Sequence, residues 1–132
     1  MKDLVYDLNT SVTIVQGCII ISLPNEMTDE EIEIGRSRII QKANITSIVG
    51  VILDLSRVSV LDSYTFTALE KTARAISLMG VMVVWIGFRP GVVSALLDLN
   101  VDVSRIKVAL NLEQGLKIIS DFFSDKINRG TR

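Results

Sequence analysis

The chain contains no histidine and a single cysteine, Cys18. These two shortages exclude Ser-His-Asp and Cys-His nucleophile systems, and they exclude metal sites built from histidine or from several thiolates. One cysteine also rules out a disulfide within the chain, as is typical of a reducing cytoplasm. Because Cys18 lies in the apolar run at 18–23, we expect it to be a buried structural thiol.

Long stretches of one charge or of one polarity are missing as well. The formal net charge is −1, and no basic stripe of the nucleic-acid-binding kind is present. No apolar run approaches the ~20 residues of a membrane span, and segment 1–10 carries acids instead of the apolar core of a signal peptide. We expect a cytoplasmic protein without nucleic-acid or membrane partners, whose basic residues Lys126, Arg129 and Arg132 lie in a frayed tail.

Aliphatic residues are abundant: 48% of the 132 residues are hydrophobic, although only 5% are aromatic. This length and composition predict one ordered domain with a substantial core. Apolar strands alternate with amphipathic helices, which predicts an α/β fold with a mixed, mostly parallel sheet in the order ββαβαβαβα. The predicted strands are two within 11–23, then 50–55, 81–88 and a weaker one at 105–110; the predicted helices are 28–43, 63–80, 90–100 and 111–124.

Local signals mark several element boundaries. A tight turn at Gln16-Gly17 would join the first two strands in a hairpin. Thr28 with Glu31 matches a capping box, and Asn111 with Gln114 repeats that spacing before the last helix. Gly80 and Asn100 stand where helix ends are expected.

The stretch "VSVLDSYTF", residues 58–66, places an acid and a hydroxyl where a buried strand gives way to a helix. Functional groups in α/β folds tend to lie at the carboxyl ends of strands. Asp62 or Ser63 can cap the helix by accepting a hydrogen bond from its open N–H groups. The same position suits a phosphorylated serine, because backbone N–H groups and the helix dipole stabilise a dianion. Both interpretations stay open.

Other candidate sites are weaker. "GFRPG" at 87–91 lacks the Gly-Lys-Ser/Thr ending of a phosphate loop, which favours a plain strand-to-helix turn. The acids within 98–103 lack the rest of a calcium-loop pattern, and Trp85 is expected in the core. No cofactor is expected.

"VILDLSRVSVLDSYTF", residues 51–66, resembles the signature of the STAS domain, which anti-sigma-factor antagonists and some transporter tails share. The family pattern is an apolar strand, Asp-Leu-Ser, a short loop and Asp-Ser at a helix start. The commonest continuation is Asp-Ser-Ser-Gly, whereas this chain has Asp62-Ser63-Tyr64-Thr65 without glycine. Together with segment 77–116, which contains Leu-Glu-Gln-Gly-Leu at 112–116, this departure is similar to the RsbS-type branch of stressosome scaffolds.

The resemblance implies a single STAS domain with the SpoIIAA-like fold over 1–132, with its core at about 10–123 and a frayed tail at 124–132. It also implies a non-enzymatic scaffold that co-assembles with an RsbR-type paralogue and sequesters an RsbT-type switch serine/threonine kinase. The residue matching the phosphorylated serine is Ser63. Asp62, Tyr64 and Thr65 are its neighbours and candidate partner contacts, and Thr65 is a weaker candidate hydroxyl.

Two other functions remain open at this point. The chain can be a simple anti-sigma-factor antagonist that binds an anti-sigma kinase one to one. A small enzyme or nucleotide-binding domain is disfavoured by the missing histidine and phosphate loop. Ser94 lies where RsbR-type proteins carry a second phosphorylated residue, but the local match is loose and that role is not transferred. We expect Ser63→Ala to block phosphorylation and keep the fold, at a cost of about 1 kcal/mol for a lost helix cap.

Overall fold

The computed structural model describes residues 11–45 and 47–130, so the expectations for segment 1–10 and Arg132 lie outside the described residues. Within these ranges, five strands and four helices alternate in the predicted order, which is confirmed. The strands are β1 (Ser11–Val15), β2 (Cys18–Ser22), β3 (Gly50–Asp54), β4 (Met82–Ile86) and β5 (Val108–Ala109). The helices are α1 (Asp29–Ile45), α2 (Ser63–Leu78), α3 (Pro90–Asp98) and α4 (Leu112–Gly130).

The strands form one mixed sheet in the order β1-β2-β3-β4-β5. β1 pairs antiparallel with β2, and the three remaining pairs are parallel. The predicted hairpin turn is confirmed, because Gln16 and Gly17 both have positive φ angles, 52° and 78°. Such a turn matches the right-handed twist of the two strands it joins. The carboxyl ends of β2, β3 and β4 therefore meet at one edge of the sheet.

The larger part of the core lies between one face of the sheet and helices α1, α2 and α3. Trp85 on β4 is 1% exposed and packs against Phe66 of α2, with 5.5 Å between the ring centroids. The predicted inward face of α2, namely Phe66, Leu69, Ala73 and Ile76, is buried. This packing fixes the position of α2 against the centre of the sheet.

The opposite face of the sheet is covered by α4, where Ile119 is fully buried against β2, β3 and β4 residues. Cys18 belongs to this second core and is 2% exposed, as expected for a structural thiol, and burial raises the pKa of that thiol. A Cβ at position 50 would lie 2.6 Å from Cγ2 of Ile119, so Gly50 allows α4 to approach the sheet closely.

Helix boundaries follow the predicted local signals. At α1, Glu31 N–H donates to Thr28 Oγ1 over 3.1 Å and Thr28 N–H donates to Glu31 Oε1 over 2.9 Å, a complete capping box. At α4, Gln114 N–H donates to Asn111 Oδ1 over 2.9 Å. Gly80, with φ +82°, follows α2.

The last strand is shorter than predicted. We expected a strand over 105–110, whereas β5 contains only Val108 and Ala109. Asp102 Oδ1 accepts the Ser104 N–H over 3.0 Å, which makes a turn just before the strand. After it, Leu110 N–H donates to Gln114 Oε1 over 3.0 Å and so belongs to the cap of α4. At the end of β5 this side-chain hydrogen bond takes the place of strand pairing, whereas at its start the Lys107 oxygen still accepts the Trp85 N–H over 2.8 Å.

The last helix is longer than predicted. We expected residues after Phe123 to fray, whereas α4 continues to Gly130. Ile127 lies one turn beyond Phe123, and both line a depression with Val49, on the chain leading into β3. The apolar side of the helix thus continues one turn beyond Phe123.

Candidate functional site

Three loops meet at the carboxyl edge of the parallel strands. They are 23–28 after β2, 55–62 after β3 and 87–89 after β4. Backbone hydrogen bonds join the first residues of the first two loops to the neighbouring strand. Leu23 N–H donates to the Asp54 oxygen over 3.0 Å, and Leu55 N–H donates to the Ile86 oxygen over 2.9 Å. This edge positions the start of α2 and the predicted site.

The loop at 55–62 is held from inside by its apolar residues. Leu55, Val58 and Leu61 are 1%, 2% and 3% exposed, while the intervening residues face solvent. Val58 N–H donates to the Leu55 oxygen over 2.9 Å, which closes a turn. The buried side chains hold the core side of the loop that leads to Asp62 and Ser63.

Asp62 is the N-cap of α2, which resolves the question of whether Asp62 or Ser63 caps this helix. Its backbone is extended, with φ −84° and ψ 170°, and its carboxylate Oδ1 accepts the Thr65 N–H over 2.7 Å. Phe66 N–H donates to the Asp62 carbonyl oxygen over 3.0 Å. Ser63 is therefore the first helical residue, and its side chain is exposed. The expectation that Ser63 helps to cap the helix is wrong.

The Asp62 carboxyl is held in its charged form. The hydrogen bond from the Thr65 N–H is the main reason why the pKa of Asp62 is lowered, and a hydrogen bond from the Thr65 side chain adds to it. The helix dipole favours a negative charge at the same place. Any group that binds or modifies Ser63 thus meets a fixed anion one residue away.

The neighbours of Ser63 alternate between surface and core. Tyr64 is 52% exposed and Val60 is 74% exposed, whereas Phe66 is 1% exposed. Thr65 is half-buried and its N–H is taken by the cap. Of the two hydroxyls proposed from the sequence, Ser63 is the accessible one. The first turn of α2 and the loop before it thus expose a hydroxyl, an anion and apolar side chains.

Residues 11–45 and 47–130 contain no group of three or more His, Cys, Asp or Glu residues that could hold a metal ion. Nor does this part of the chain contain a helix long and apolar enough to cross a membrane.

"GFRPG" forms the strand-to-helix turn expected of it. Gly87 has φ +76°, and a Cβ there would lie 2.8 Å from Asp54 Oδ1 and 2.9 Å from the Ser56 nitrogen. Asp54 Oδ1 itself accepts the Ser56 N–H over 2.9 Å. Gly87 therefore lets the β4–α3 loop pass close to the β3–α2 loop. Ser94 lies on a different helix, α3, and is exposed.

A contact between two loops went unpredicted. Asn25 Oδ1 accepts both the Ser59 N–H, over 2.9 Å, and the Ser59 hydroxyl, over 2.6 Å. These residues are 34 positions apart, and each reads in the sequence as an ordinary polar loop residue. The adjacent Pro24-Asn25 break signals a turn, but no sequence pattern identifies its partner.

Comparison with known proteins places the fold. The STAS domain family model matches residues 9–115, and no curated protein sequence matches the chain. A serine-to-glutamate RsbS variant from Moorella thermoacetica superposes with a TM-score of 0.74 at 21% identity, covering 87% of this chain and 97% of that one. A second solved structure, described as the molecular architecture of the stressosome, a signal integration and transduction hub, contains a similar chain. That chain superposes with a TM-score of 0.73 at 22% identity, covering 84% of this chain and 96% of that one.

A third solved structure extends the comparison beyond the stressosome. The anti-sigma factor antagonist SpoIIAA in its unphosphorylated form gives a TM-score of 0.68 at 15% identity, covering 85% of this chain and 96% of that one. At such identities these likenesses show the fold, and the family model shows the family. The resemblance predicted from residues 51–66 is confirmed: the chain belongs to the STAS domain family.

Proposed function

We propose that this chain is a non-enzymatic scaffold and antagonist that sequesters a switch serine/threonine kinase and releases it when Ser63 is phosphorylated. The pathway is bacterial general stress signalling in the cytoplasm. One observation carries the proposal: Ser63 is the exposed first residue of α2, next to a helix cap that does not use its hydroxyl. The partners are an RsbR-type STAS paralogue in a large assembly and an RsbT-type kinase. The whole chain, 1–132, acts as one STAS domain.

Two features support this assignment over a generic STAS role. Asp62-Ser63-Tyr64-Thr65 has Thr65 at the glycine position of the commonest family motif, and the exposed Tyr64 stands where that motif has its second serine. The similar structures include an RsbS protein and a stressosome chain. Tyr64 and Val60, both exposed and both within four residues of Ser63, are side chains of the kind that protein partners bury.

Phosphorylation at Ser63 is compatible with the fold. A phosphate adds about −1.5 to −2 charges at neutral pH. The backbone N–H groups of Ser63 and Tyr64 lie at the positive end of α2, which stabilises that charge. The new phosphate lies beside the anionic Asp62 on the surface. These two negative groups together repel a partner that is acidic or packs tightly against this surface, while α2 stays folded.

The test is phosphorylation by the RsbT-type kinase of the same organism, with ATP, followed by intact-mass spectrometry and site mapping. We expect one phosphate, on Ser63, and none on Ser63→Ala. Thr67→Ala is the matched control, because Thr67 is an exposed hydroxyl one turn further along the same helix. Phosphate on Ser63→Ala at the wild-type level, or none on the wild type with a kinase active on another substrate, contradicts the proposal.

A simple one-to-one anti-sigma-factor antagonist is the second candidate, and the likeness to SpoIIAA favours it. Size-exclusion chromatography with a sister STAS protein separates the two candidates. A very large co-assembly supports the scaffold. A protein that ignores its sister and forms a small heterodimer with an anti-sigma kinase supports the antagonist.

A further inference from the structure

The loop that presents Ser63 is attached to its neighbour by one side-chain oxygen. Asn25 Oδ1 accepts two hydrogen bonds from Ser59, one from its N–H and one from its hydroxyl. A carbonyl oxygen has two lone pairs, so this one oxygen is fully used. Ser59 lies four residues before Ser63, within the loop that leads directly into α2.

The same contact borders the start of α2. Asn25, Val58, Leu61, Asp62 and Thr65 line one depression between the β2–α1 loop and the first turn of α2. Buried Val58 and Leu61 hold this loop from the core side. The Asn25–Ser59 contact holds its exposed side, where no apolar packing restrains the backbone.

We propose that Asn25 is a positioning residue for phosphorylation of Ser63: its Oδ1 fixes the 55–62 loop in the conformation that presents the Ser63 hydroxyl. The inference rests on the proposed function. Asn25 Oδ1 is hydrogen-bonded to Ser59, and the Asp62 carboxylate is hydrogen-bonded to Thr65, so Asn25 acts through Ser59. Because both partners are exposed, their loss loosens the loop locally and leaves the folded core intact.

A looser loop presents Ser63 correctly for a smaller fraction of the time. The apparent affinity of the kinase then falls in proportion to that fraction, while a correctly bound complex reacts as before. In Asn25→Ala, we therefore expect the KM of the kinase for this protein to rise roughly fivefold to tenfold with kcat unchanged. Ser59→Ala keeps the N–H bond and is expected to give a smaller rise.

A second variant is Asn25→Asp, which keeps the accepting oxygen but replaces the amide NH₂ with a second carboxylate oxygen and adds a negative charge. Since both hydrogen bonds end on Oδ1, this variant should keep the Ser59 N–H hydrogen-bonded. Asn44→Ala is the matched control, an exposed asparagine at the far end of α1. Circular dichroism melting verifies that each variant is folded at the assay temperature.

Amide hydrogen exchange gives a readout that needs no kinase. The Ser59 amide should exchange on the order of tenfold faster in Asn25→Ala than in the wild type, and Asn25→Asp should protect it again. An unchanged KM in Asn25→Ala, or a Ser59 amide that exchanges as slowly in Asn25→Ala as in the wild type, overturns the inference while leaving the proposed function in place. A wild-type protein that takes no phosphate on Ser63 overturns both.

Discussion

Helices α1 and α2 begin at the same edge of the sheet, but their first turns are closed differently. At α1, the N-cap hydroxyl of Thr28 is used by Glu31, which returns a hydrogen bond. At α2, the carboxylate of Asp62 serves as the cap, and the hydroxyl lies one residue later on Ser63. Each helix start thus has one hydroxyl and one carboxylate side chain. In α1 both take part in the cap, whereas in α2 only the carboxylate does and the hydroxyl stays exposed. Helix initiation and presentation of a hydroxyl are separate tasks at α2.

Among substitutions at these two helix starts, we expect the largest loss of stability from removing the N-cap acceptor. Asp62→Ala removes the acceptor of the Thr65 N–H, and we expect the free energy of unfolding to fall by about 1 kcal/mol. Thr28→Ala should cost a similar amount, because it removes the acceptor of the Glu31 N–H. Urea denaturation followed by circular dichroism measures both. A neutral Asp62→Ala beside a destabilised Thr28→Ala would show that Asp62 is no structural cap.

The capping box of α1 was predictable from the sequence because its chemistry is local. Thr28 and Glu31 are three residues apart, and a single short pattern defines both hydrogen bonds. At α2 the pattern offered two adjacent oxygens, on Asp62 and Ser63. Only the backbone geometry, with Asp62 extended and Ser63 helical, decides between them. The sequence therefore located the start of α2 but did not show which of the two residues caps it.

Contacts between distant segments could not be predicted from local sequence patterns. The order of strands and helices follows from apolar periodicity, and it was predictable over the whole described part of the chain. The Asn25–Ser59 contact joins two loops 34 residues apart, and its existence depends on β2 and β3 being neighbours in register. The short β5 has a local cause instead, because the side chains of Asp102 and Gln114 accept hydrogen bonds from the Ser104 and Leu110 N–H groups on either side of it.

A smaller effect is expected in how the stabilisation by the Asp62 cap depends on pH. The hydrogen bond from Thr65 lowers the pKa of Asp62 below its unfolded value, which is about 3.9. Its stabilising contribution is therefore complete above the unfolded pKa and is lost as the pH falls through the lowered, folded-state pKa. Asp62→Asn keeps an accepting oxygen without this titration.

The measurement is the difference in free energy of unfolding between the wild type and Asp62→Asn, followed from pH 6 down to pH 2. The advantage of the wild type should shrink on the acid side of about pH 4. Subtraction of the variant removes the contribution of other carboxyls, including Asp102, whose pKa the Ser104 hydrogen bonds also lower. A difference that stays constant across this range would contradict the charged cap.

The smallest expected effect is the most informative about Ser63. Since Asp62 provides the cap, Ser63→Ala removes only an exposed hydroxyl from the first helical position. Alanine is the best helix former, so the free energy of unfolding should stay within about 0.5 kcal/mol of the wild type. The cost of about 1 kcal/mol expected from the sequence belongs to Asp62 instead.

Parallel urea titrations of Ser63→Ala and Asp62→Ala test this assignment directly. If Ser63→Ala proved the more destabilised of the two, the serine would be part of the cap, and its hydroxyl would not be spare for a kinase. A neutral Ser63→Ala means that any loss of phosphorylation or partner release in that variant reports on the hydroxyl alone.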